Sequence, residues 1–140
     1  VQFASLAVVA MLGCGSASAP APAYGGEIAP SEIEPVSDGP PFVEPGAMNR
    51  RRIAGEKLVI PDDDTLAVAR RTGTTLQGLY KYCVDASGAV ISVSVVHSTG
   101  APSYDARIMH TMQAWEFKPV VFQGAVIVAC SVQSFAFSVR

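Results

Sequence analysis

The stretch "LYKYCVDASGAVISV", residues 79–93, decides the fold by its spacing. Tyr80, Tyr82 and Val84 alternate with Leu79, Lys81 and Cys83, the period-two pattern of a strand with one buried face. Asp85-Ala86-Ser87-Gly88 is turn chemistry, with Gly88 able to take a positive φ. A second strand follows, with Ile91, Val93 and Val95 expected inward, Ser92 and Ser94 outward, and Ser98-Thr99-Gly100 closing it. The stretch is expected to be a hairpin.

Downstream, "APSYDARIMHTMQAWEFKP" changes period: Tyr104, Ile108, Met112 and Trp115 form one helical stripe, the pattern of a core face. Ser103 is the expected N-cap and Pro119 marks the end. After a turn at Gln123-Gly124, "AVIVACSVQSFAFSV" reads as one long final strand with Phe135 and Phe137 buried. Upstream, "IPDDDTLAVARRTG" reads as a short helix. Asp62 or Asp63 caps it, Arg70 and Arg71 face the negative end of its dipole, and Gly73 stops it. Consecutive carboxylates at a helix start do not all face one way, so capping is preferred to a magnesium or calcium site. The expectation is an α+β fold. A three-stranded antiparallel sheet carries a crossover helix on one face and a short helix before the first strand, with the last strand beside the first.

Within that sheet, Cys83 and Cys130 both have outward parity and lie on neighbouring strands, which favours a disulfide between them. It would close a loop of about 47 residues and contribute ~2–4 kcal/mol. Unpaired structural thiols are the alternative. A catalytic thiol would need a nearby histidine, and His97 and His110 show no dyad spacing. A zinc site would need four ligands, and no clustering of Cys and His supplies them. No metal and no cofactor are expected, and both histidines read as surface residues.

The flanking sequence gives the context. At 140 residues the chain holds one domain plus a tail. Its net charge of −2 argues against a nucleic-acid binder, which would want a basic face. Asn49-Arg50-Arg51-Arg52 is a local exception and reads as a solvated domain edge. Residues 1–14 hold an apolar run shaped like a secretory signal core, too short to span a membrane. Its end, Met11-Leu12-Gly13-Cys14, resembles the lipobox of bacterial lipoproteins, which implies lipidation at Cys14; ordinary cleavage after Ala21-Pro22-Ala23 is the alternative. Residues 15–48 contain seven of the ten prolines. That composition reads as a disordered tether reaching at most ~100 Å at ~3.1 Å per residue. The folded domain is then 49–140.

Leu79 to Val139 resembles the C-terminal domain of TonB, the periplasmic energy transducer of Gram-negative bacteria. The matching residues are Val84-Asp85-x-x-Gly88-x-Val90, Val95-Val96-x-Ser98-x-Gly100, Asp105, Trp115-x-Phe117-x-Pro119, Gly124 and Phe135-x-Phe137. The resemblance implies a non-catalytic, periplasmic protein-binding domain whose last strand accepts an extended peptide from an outer-membrane transporter by strand addition. Here that edge would run from about Val126 to Ser134, through Val128, Cys130 and Val132. Where the family has Gln-Pro-x-Tyr-Pro, this chain has only Ile60-Pro61. The apolar start also differs from a membrane-spanning TonB helix, since a lipid-anchored protein has no helix with which to harvest a proton gradient. Two readings therefore stand: a TonB-like transducer or accessory, and an envelope lipoprotein adaptor without energy coupling. An enzyme finds no support in triad spacing, a phosphate-cradling loop or paired carboxylates. A homodimer by strand exchange is compatible with either reading.

Overall fold

The computed structural model describes residues 26–139. Segment 1–14 with Cys14, and the first part of the expected tether, lie outside the described residues. In chain order the elements are β1 (Ile33–Glu34), β2 (Phe42–Val43), α1 (Pro45–Arg51), β3 (Arg52–Ala54), α2 (Asp63–Thr72) and β4 (Leu76–Val84). Then come β5 (Val90–His97), α3 (Pro102–Gln113), β6 (Glu116–Phe117), β7 (Val120–Phe122), β8 (Ala125–Ile127) and β9 (Ala129–Phe137).

The hairpin β4–β5 forms where its pattern places it. Asp85 organises the turn by accepting from the Ser87 N–H at 2.9 Å, the Ser87 hydroxyl at 2.6 Å and the Ala89 N–H at 3.1 Å. Gly88 sits at φ 87°, and a Cβ there would come within 1.8 Å of the Phe117 carbonyl oxygen, so the position demands glycine twice over. β9 returns antiparallel beside β4 over nine paired residues, from Leu76↔Phe137 to Val84↔Ala129. Tyr80, Tyr82, Val84 and Phe135 are buried as expected. α3 crosses over this face; Tyr104, Ile108 and Met112 on it, and Trp115 just past its end rather than within it, are each 2% exposed or less. Tyr82 stacks on Phe117 at 5.4 Å and meets Trp115 edge-on at 6.0 Å, while Tyr80 meets Phe135 edge-on at 5.7 Å.

Several expectations are corrected. The main sheet has five strands, in the order β1-β2-β9-β4-β5, rather than three. The added pair comes from the supposed tether, whose second half is folded: Ile28, Ile33, Val43, Ala47 and Met48 are all buried. Its prolines punctuate short elements. Pro30 and Pro45 each start a helical turn, where a missing N–H costs nothing, and Glu44 caps α1 by accepting from the Gly46 and Ala47 N–H groups at 2.8 and 2.9 Å. The domain therefore starts well before residue 49.

The basic stretch is not a solvated edge either. Arg51 is 3% exposed and donates to the Gly26 carbonyl at 2.7 Å and the Pro119 carbonyl at 2.8 Å. Arg52 lies 4.4 Å from the centre of the Trp115 ring, and Arg50 pairs with Glu32. The cations tie the N-terminal segment to the core.

In β5, Ile91 is 57% exposed rather than inward, because the register shifts between Cys83↔Ser92 and Val84↔Val90 and leaves Ile91 as the extra residue of a bulge. A second bulge at Val96 separates Leu79↔His97 from Tyr80↔Val95, and Val95 is 40% exposed. The final run is split. Gln123 and Gly124, both at positive φ, join β7 to β8 in a tight hairpin, and β9 starts afresh at Ala129. At α3 the N-cap is Ala101 with Pro102 in the first turn. The Ser103 hydroxyl instead donates to Asp62 at 2.7 Å. Asp62 caps α2, accepting from the Thr65 N–H at 2.9 Å, and Gly73 ends that helix at φ 65°.

Candidate functional site

Cys83 and Cys130 face each other directly across β4 and β9 and form a disulfide with their Cα atoms 4.0 Å apart. That closeness marks a pair that does not exchange backbone hydrogen bonds. The Cys130 N–H accordingly points away from β4 and donates to the Pro41 carbonyl at 3.0 Å. A residue's N–H and C=O leave a strand on the same side, so the parity of the whole ladder follows. Val132, Ser134 and Ala136 present their backbone groups to the outer edge of β9.

β2 covers this edge only at its start. It runs parallel to β9 through Phe42↔Cys130, and the Ser131 hydroxyl fixes it by donating to the Val43 carbonyl at 2.7 Å. The chain then turns into α1, which packs against β9 as a helix without extending the strand pairing and buries Ala47 and Met48. Among the described residues, no strand pairs with β9 on this side beyond Ser131. Val132 to Phe137 thus form a regular open edge. The Ser134 carbonyl takes the Gln133 side-chain amide at 2.9 Å, while no strand uses the three N–H groups of Val132, Ser134 and Ala136.

The far edge of the sheet differs. The same parity turns the Ser92 and Ser94 backbone groups toward β4 and leaves Val93 and Val95 facing out. Bulges at Ile91 and Val96 bracket these two residues. At the start of β5, Ala89 bridges Glu116 and the Gly88 carbonyl accepts from the Phe117 N–H at 2.9 Å. Short, bulged edges resist pairing with another strand.

The residues expected on the binding edge therefore separate. Val126 lies in β8, paired with Val121, and Val128 lies between β8 and β9. Cys130 is covered by β2, and only Val132 and Ser134 reach the open edge. Cys83 and Cys130 are bridged and supply no free thiol. His97 ends β5 and His110 lies on α3, both exposed. Among the described residues, no group of three or more His, Cys, Asp or Glu is placed to hold a metal, and no helix is long and apolar enough to cross a membrane.

No family model matches the chain, and no curated protein sequence does. Among solved structures, the solution structure of the Pseudomonas aeruginosa TonB C-terminal domain matches it at 19% identity and a TM-score of 0.48, over 64% of this chain and 86% of that one. The likeness is distant.

The corner that steadies the sheet centres on Asp105, which is 6% exposed. It accepts from the Tyr80 hydroxyl at 2.6 Å, the Thr99 N–H at 2.9 Å, the Thr99 hydroxyl at 2.7 Å and the Ser98 hydroxyl. Burial works to raise its pKa, but the bonds from Ser98, Tyr80 and Thr99 outweigh it and hold the carboxyl below its ordinary range. Burial, then the Asp105 bond, push the Tyr80 phenol upward. Asp105 falls in the first turn of α3, seven residues after Ser98, a spacing that could have flagged the link. A hollow of about 890 Å3 lies beside α2 and is lined by Asp62–Asp64, Val68, Leu76 and Thr99. Its Asp62 carboxylate is engaged in capping, and bonds from the Thr65 N–H, Ser103 and the Thr65 hydroxyl hold it at a pKa of about 2.

Proposed function

We propose that this domain is a non-catalytic binding module that takes an extended peptide as an added strand along Val132–Phe137. The observation that carries the reading is the regular, unpaired stretch of β9 beside a bulged opposite edge. Backbone hydrogen bonds from Val132, Ser134 and Ala136 would give affinity without sequence demand. The disulfide fits an oxidising compartment, which supports an envelope location. The motif resemblance points to a segment of an outer-membrane transporter as the partner and to a periplasmic, lipid-anchored chain held through Cys14.

The test selects binding octapeptides from a random display library on the full chain and then measures them on two proline variants. Ser134→Pro removes an N–H that faces the open edge and leaves the β4 ladder intact. It is expected to weaken binding by about tenfold or more. Val93→Pro, made to the same rule on the other edge, is expected to change nothing. Equal affinity of wild type and Ser134→Pro would overturn strand addition to β9.

A further inference from the structure

On the sheet face opposite α3, a hollow of about 460 Å3 opens beside this edge, walled by Gln77, Leu79, His97, Ser134 and Ala136, with the paired Gly78 and Phe135 also lining it. It exists because Ser134 and Ala136 on β9 carry small side chains on this face, where large ones could stand. Leu79 is half-buried there and offers an apolar surface. Among the described residues, no Asp, Glu, Lys or Arg lines it. The hollow is continuous with the open edge, since Ser134 and Ala136 supply both its wall and two of the free N–H groups.

We infer that the hollow is the specificity pocket for the added strand and takes one bulky, uncharged apolar side chain, aromatic or aliphatic. The inference rests on the β9 reading. A strand added to β9 lies ~4.8 Å away, and its residues opposite Ser134 and Ala136 share their face. A Leu- or Trp-sized side chain at one of those positions leans over β9 and covers Leu79. A carboxylate or ammonium would lose water there and meet no Lys, Arg, Asp or Glu in the wall to pair with. Backbone bonding then sets general affinity, and this one side chain sets the choice of partner.

The probes are fluorescein-labelled Thr/Val octapeptides in which a single guest, Ala, Leu, Trp, Glu or Lys, is moved along the chain. Anisotropy reads their affinity for the full, oxidised protein. At one position of the strand, Leu and Trp guests are expected to bind about tenfold or more tighter than Ala, while Glu and Lys bind no tighter than Ala. Filling the hollow from either wall, by Leu79→Trp on β4 or Ala136→Trp on β9, is expected to bring the Trp-to-Ala ratio close to one. Two walls are used so that a fold lost in one variant leaves the other to report. Binding that is equal for all guests, or a Trp preference that survives both fillings, overturns the pocket alone. Absence of binding by every peptide overturns the pocket together with the edge reading.

Discussion

The two halves of the β9 edge differ although they belong to one strand. Up to Ser131 the edge is closed by β2, held by a backbone bond at Cys130 and a hydroxyl bond at Ser131. From Val132 onward it is open and unbulged. Beyond it, β5 shows a third condition, an edge exposed yet interrupted at Ile91 and Val96. One sheet therefore covers one stretch, disrupts another and leaves one regular. Protection of an edge normally needs some device. Its absence over Val132–Phe137 is the observation on which the proposed strand addition rests.

The largest way to break this comparison is to uncover the closed half. Arg51→Ala deletes two charge-assisted bonds to the Gly26 and Pro119 carbonyls and is expected to cost about 3–6 kcal/mol in denaturant unfolding. Loss of the N-terminal cover should accompany it, seen as faster amide exchange at Cys130. Replacing Cys83 and Cys130 together by alanine, which removes the staple at the closed end, should cost about 2–4 kcal/mol by the same measurement.

Asp105→Asn acts on the β5 side and should cost about 2–3 kcal/mol, because an amide cannot accept from all the donors converging there. It also changes the acid limb. The Asp105 carboxyl is depressed, so its contribution is whole above the unfolded carboxyl pKa of about 4 and lost as pH falls through the lowered value. Stability of the variant should fall less steeply than wild type below that point. Ser131→Ala is the mildest probe. It should cost about 1 kcal/mol and lengthen the open edge by loosening β2, read as a gain in affinity for longer peptides.

Period-two alternation carried much of this molecule into view from its sequence. It placed Tyr80, Tyr82 and Val84 inward and put Cys83 and Cys130 on one face, and with β9 beside β4 the bridge followed. A bulge is invisible because it changes register without changing composition, so Ile91 looks like an inward residue in the chain alone. Val95, by contrast, shares the inward face with Tyr80 and is exposed only because β5 is the last strand of the sheet. β1 and β2, at two residues each, are too short to show any period. The prolines around them mimic a disordered linker, although Pro30 and Pro45 each start a helical turn. Arg51 was read by its charge, whereas its burial depends on carbonyls 25 and 68 residues away. The open edge was placed too far toward Val126 because β7 and the β8 hairpin were not anticipated.

The most direct test is amide hydrogen exchange of the full chain, read residue by residue with and without a selected octapeptide. Strand addition slows exchange at Val132, Ser134 and Ala136 and leaves Val93, Val95 and the already bonded Cys130 unchanged. Protection at Val93 and Val95, or a bound peptide that leaves the three β9 amides unprotected, would contradict it.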